Sequence, residues 1–393
     1  MRLRVVAAVG ALAMAGGLAA PGTAWASAPA AWNRVFQART QGFITSVAAI
    51  SKNDSWAAGD LFAGSGTTRF QPFIRHYDGS SWKAVTIPGA RFSSQWVAAS
   101  SAKNVWVFGF TPNAQDIANS TAYRYDGSHW HKVRVPALTD LRDPVVLSPA
   151  SVWAFGSSGS LSLPGDVFHW NGTRWQGFNL NLDPQALSAS AAGNVWVTGL
   201  TFTFPAQKVT AYRWNGRRWL PVSMPHPVPV QSPGVTASSP SDVWIGWDTA
   251  TTSRGMHWDG HRWHVITAPG NVIAEGSNIV PDGHGGDWFG PFARWTGHAW
   301  TGTFDISPGF SAGGFGAVVR IPGTSSFWLA AGVRNTASSI EEPTIYRYDL
   351  SSSALEAASS TSAGAAQPSA HQCAERMVGG DPTGRQLWCV SAA

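Results

Sequence analysis

The residues of this 393-residue chain that are suited to acid–base work are few and scattered: Asp60, Asp143, Asp248, Glu275, Glu341 and Glu342. Cleaving a glycosidic bond takes two carboxylates roughly 5–9 Å apart. The sequence spacing brings no two of these together. Three histidines, His76, His169 and His257, share one position of a recurring unit with Arg124, Arg213, Arg294 and Arg347. Zinc needs converging ligands, whereas these copies fall on successive units, so the slot reads as a structural partner for a turn carboxylate or carbonyl. Asp282-Gly283-His284-Gly285-Gly286-Asp287 has a carboxylate at each end but lacks the alternating oxygen ligands of a calcium loop. There is no G-x-S-x-G, H-E-x-x-H, phosphate-binding glycine loop or C-x-x-C. No catalytic residue, metal or cofactor is therefore expected.

The elements that would position any site come from a repeat. HYDGSSW at 76–82 returns as RYDGSHW at 124–130, HWNGTRW at 169–175, RWNGRRW at 213–219, HWDGHRW at 257–263 and RWTGHAW at 294–300. A second series, Trp56, Trp106, Trp153, Trp196, Trp244, Trp288 and Trp328, marks another point of the unit, four times as W-x-x-G. Asp-Gly or Asn-Gly between alternating apolar runs signals a hairpin. Each unit reads as four short strands, and four strands every ~45 residues is the pattern of a propeller blade.

The ends of the chain decide the closure. The last unit stops after Tyr346-Arg347-Tyr348-Asp349-Leu350 without its fourth strand, while Trp32-Asn33-Arg34-Val35 copies the W-x-x-V of Trp82–Val85 near the start. The expectation is an all-β, seven-bladed propeller over 27–350, closed by pairing an N-terminal strand with the last blade. This arrangement removes an open sheet edge.

Outside the ring, 1–26 has a basic start, an apolar run and Ala24-Trp25-Ala26, the pattern of a secretory signal peptide. Segment 351–370 reads as a Ser/Ala-rich linker. The tail 371–393 holds Cys373 and Cys389, which in an exported protein are expected to pair. Removing Arg2 and Arg4 from the 27 basic residues leaves 25 against 22 acidic, a charge of +3 with no basic cluster. That gives nucleic acid no footprint, and no later apolar run is long enough to insert in a membrane.

The repeat resembles the kelch and galactose-oxidase-like propellers, which also set an aromatic before a turn and a Trp on the outer strand. It departs from kelch in carrying W-x-x-G where that family has a Gly-Gly doublet. It also resembles the Trp-rich repeats of exported proteins from high-GC soil bacteria. Eighteen of the 22 Trp occupy repeat positions and are assigned to packing between blades. Trp96 and Trp247 fall out of register, and Asp60, Arg142, Asp143 and Asp248 lie toward the face that carries the long loops. These six are the candidate ligand-binding residues, since variable loops on a rigid scaffold are where binding concentrates. The function expected is an exported, non-catalytic binding or scaffold propeller with a polysaccharide or protein ligand. The alternative is a polysaccharide-active hydrolase or lyase that uses carboxylates at the channel mouth.

Overall fold

The computed structural model describes residues 32–62, 70–112, 118–136, 139–158, 167–203, 206–224, 231–248, 253–267, 279–283, 286–289, 293–297, 299–301, 315–334 and 340–350. Residues 1–26, 351–370 and 371–393, on which the expected signal peptide, linker and Cys373–Cys389 pair fall, lie outside these residues. The described residues form 28 strands and no helix. Seven four-stranded antiparallel sheets contain them all. The first blade sets Gly42–Ser51, Asp54–Phe62, Phe70–Tyr77 and Trp82–Val85 side by side in chain order, and five further blades repeat it.

The seventh blade is composite. Phe315–Arg320, Ser326–Arg334 and Glu341–Asp349 supply three strands, and Asn33–Gln37 supplies the outermost. The register pairs Asn33 with Arg347 and Phe36 with Ile345. The innermost strands touch one another in sequence around the molecule, and the last, Phe315–Arg320, returns to the first, Gly42–Ser51. The ring is closed as the two chain ends implied.

Tryptophan explains how the blades hold together. At five junctions the second-strand Trp of one blade meets the fourth-strand Trp of the next, edge to face. At the other two, Phe108 meets Trp175 of the next blade, and Trp244 meets Phe289 of the next blade. Trp56 and Trp130 are 5.9 Å apart, Trp153 and Trp219 5.6 Å, and Trp196 and Trp263 6.2 Å. The same contact crosses the closure, with Trp328 and Trp82 at 5.3 Å and Trp288 and Trp32 at 5.8 Å. Such aromatic pairs contribute beyond their buried area, and the seven second-strand indoles are at most 4% exposed.

The recurring HYDGSSW stretch is a four-residue turn between paired aromatics, Tyr77 opposite Trp82. Asp78 Oδ1 accepts the backbone N–H groups of Ser80 and Ser81 at 3.0 Å each, and Gly79 takes φ +95°. Asn171, Asn215 and Asp259 repeat the bond in their own turns. Asp or Asn closes the turn with its side chain, and glycine takes the left-handed position. The motif therefore builds the blade.

The glycine of W-x-x-G has an equally local cause. Six of the seven innermost strands carry a β-bulge near their start, between Ile44 and Ser46 in the first blade and between Ser94 and Trp96 in the second, while the short sixth-blade strand Ile279–Pro281 pairs without one. Opposite the bulge sit Gly59 and Gly109, where a Cβ would run into the carbonyl oxygens of Phe43 and Ser93. Gly109→Ala is expected to cost about 3 kcal/mol of unfolding free energy, the upper range for overpacking, and to lower the urea midpoint accordingly. An unchanged midpoint would show that the inner strand can yield.

Candidate functional site

The inner strands begin, and the second strands end, at one face of the ring. The bulges sit at this face, so each extra residue is free of the sheet ladder and can reach toward the neighbouring blade. Thr45, in the bulge of the first blade, donates its hydroxyl to the carbonyl of Gln95, in the bulge of the second. Asp143, in the bulge of the third, has φ +46° and accepts the backbone N–H of Leu187, on the inner strand of the fourth.

Asp60 is fully buried at the junction of the first and second blades. It accepts the Ser94 backbone N–H at 2.8 Å, the Gln95 side-chain amide at 2.7 Å and the Ser93 hydroxyl. Burial outweighs these three donors and raises its carboxyl to about 7. Asp143 is half-buried, and desolvation raises its carboxyl to about 6 against the opposing Leu187 bond. Arg142 beside it is exposed. Trp96 is half-buried, with its ring against Phe110 at 5.5 Å.

The role assigned to Trp247 changes. It is 3% exposed and packs with Leu200, Val209 and Val235 between the fourth and fifth blades. Counted from Trp244, it occupies the glycine position of W-x-x-G, so it is in register after all and fills the inter-blade space. Asp248 pairs by its backbone with Gln231, at the position Asp60 holds in the first blade, and its side chain lies outside the described residues. The structure thus places Asp60 and Asp143 at the same face but at different blade junctions, each tied to the following blade.

Two further carboxylates are engaged as well. Glu342 is buried and takes the Gln37 amide at 2.5 Å, while Glu275 lies outside the described residues. Asp282 receives the buried Arg294 guanidinium through Nε at 2.9 Å and through Nη2, so an arginine occupies the carboxylate that a cation would need. Among the described residues no group of three or more His, Cys, Asp or Glu is arranged to hold a metal ion. The basic slot behaves as a structural partner. His76 stacks on Trp56 at 4.3 Å and pairs with Asp54 at 2.9 Å, and His257 does the same with Trp244 and Asp242. Arg124 reaches Asn104 at 3.0 Å.

A concavity that the sequence reading did not find lies between the first and second blades, among the short turns of the opposite face. It encloses about 710 Å³ and is lined by Trp56, Tyr123, Tyr125, Trp130, His76 and Lys103, among others. The signal for it was present in the unit: Tyr123-Arg124-Tyr125 puts tyrosines on both sides of the basic slot, and small residues, Ala102, Gly127 and Ser128, form the adjoining turns.

The chain matches no protein-family model and no curated protein sequence. It is similar in fold to the solved structure of YCF48 bound to D1 peptide, at 13% identity and a TM-score of 0.55, over 84% of this chain and 99% of that one. YCF48 from Cyanidioschyzon merolae aligns at 12% identity and a TM-score of 0.50, over 81% and 99%. Identities this low establish a shared propeller architecture and leave activity to be argued from the site itself.

Proposed function

We propose that this chain is a non-catalytic binding propeller, exported after loss of 1–26, that presents a polysaccharide or protein ligand to the bulge-lined face. One observation carries the reading: the two candidate carboxylates described at that face, Asp60 and Asp143, are each engaged by donors from the next blade and serve as ring fasteners, which leaves exposed Asp183 without a second carboxylate to work with among the candidates. Acid–base cleavage would need them paired across a substrate. Exposed Arg142 with half-buried Trp96 then offers a charged and an aromatic contact on a rigid rim. A propeller of similar fold holds a peptide, in keeping with a polymer laid across such a face.

The test is retention of the mature chain on insoluble cellulose, xylan and chitin, with reducing ends assayed in parallel. Retention without release of reducing ends is expected, together with about tenfold weaker retention of Arg142→Ala, a loss of about 1.4 kcal/mol that exceeds what most interface residues contribute. Release of reducing ends would establish the hydrolase reading instead. Parent-like retention of Arg142→Ala would move the site off this face. On the same reading Cys373 and Cys389 pair within the tail, and a mass shift of two hydrogens on reduction, with no dimer on a non-reducing gel, is the expected result.

A further inference from the structure

We propose that the groove between the first and second blades is a separate binding site for a short run of neutral pyranose rings. Its volume of about 710 Å³ lies within the range of pockets that hold small organic ligands, and its lining is aromatic with a few polar groups, the usual composition of such sites. Flat apolar rings with polar edges suit a sugar, which offers an apolar C–H face and a rim of hydroxyls.

Of the aromatic rings in the lining, Tyr123, Tyr125 and Trp130 are half-buried and keep part of their surface open for a sugar ring to rest on, while Trp56 is 4% exposed and packs against Trp130 at 5.9 Å. The lining carries few charged groups. Asp54 is matched by His76 at 2.9 Å, and its Oδ1 also takes the Trp56 indole N–H at 3.1 Å, which leaves Lys103 as the lysine or arginine of the lining. The Tyr123 hydroxyl makes no hydrogen bond among the described residues, although its ring is half-buried against Phe92. A hydroxyl group can act as donor and acceptor, which suits a sugar hydroxyl.

This site stands apart from the bulge-lined face, and the experiment separates the two. Cellotetraose, xylotetraose and chitotetraose are titrated at millimolar concentrations into the mature chain, read by calorimetry and by tryptophan emission. At least one is expected to bind and to change the emission, because Trp56 and Trp130 line the groove. Tyr123→Phe should weaken binding about fivefold, the loss of one hydrogen bond. Ala102→Trp, at an exposed turn position, should abolish it by filling the groove, while Val265→Ala, at an exposed position of the fifth blade outside both sites, should leave it unchanged. Failure of all three sugars to bind, or binding that Ala102→Trp leaves intact, overturns the proposal. Capture of a proline-rich decapeptide in place of the sugars, blocked by Ala102→Trp, overturns it in favour of a peptide. Loss of polymer retention in Arg142→Ala bears on the other face alone.

Discussion

Trp32→Ala is expected to open the ring. Trp32 is 7% exposed and wedges between Tyr348 at 5.4 Å and Trp288 at 5.8 Å, so it joins the N-terminal strand both to its own blade and to the sixth. Removing a buried tryptophan costs about 3–5 kcal/mol, a large share of the roughly 5–15 kcal/mol that holds a domain folded. The loss should show as a lower thermal midpoint. Deleting 32–37 should do more, because it bares the edge of the last strand over Thr344–Arg347, and unpaired edges recruit other chains. Association on a sizing column is the expected sign. Trp82→Ala is the internal control: Trp82 holds the equivalent place in the first blade, 8% exposed and 5.3 Å from Trp328. If the deletion leaves a monomer with the parent midpoint, Asn33–Gln37 does not carry the closure.

The closure was legible because the interactions that make it repeat. A Trp at a fixed distance from a turn aromatic appears in every blade, so a copy missing from one end and present at the other could be matched by counting. The bulges were not legible, because the bulge residue is set by its place opposite a glycine and varies freely: Thr45, Gln95 and Asp143 share nothing but position. Trp247 misled for a related reason. A tryptophan in a glycine slot looks like an intruder until the adjoining blade shows the space it fills. The strand ends that define the candidate face follow from the order of strands in the unit, but which carboxylates would be consumed by the next blade depends on contacts between units, and these have no periodic trace. The groove, built from turns of two different units, was hidden likewise.

Asp60 carries the last consequence of those hidden contacts. Its carboxyl is held at about 7 in the fold against 3.8 when unfolded, because burial outweighs the three donors. Below 3.8 both states hold the proton and the stabilising contribution is complete. As pH rises the unfolded chain releases its proton first, and the fold loses stability until Asp60 itself ionises near 7. A gap of about three pH units at ~1.36 kcal/mol each makes that loss about 4 kcal/mol. Asp143 and Asp287 are raised as well and slope the same way, so the measurement has to be a difference. Asp60→Asn keeps the shape and mimics the protonated acid. Its thermal midpoint should fall less than the parent's between acid and mildly basic pH, with the two curves crossing as the parent's Asp60 ionises. Should Asp60→Asn instead be the weaker protein throughout that range, with the same slope as the parent, Asp60 is an ionised acceptor and its three donors outweigh burial. The distinction matters for the ring as a whole, since Asp60 ties the end of one blade's second strand to the start of the next blade's inner strand. A proton at this junction would make the bulge-lined face firmer in acid than at neutral pH.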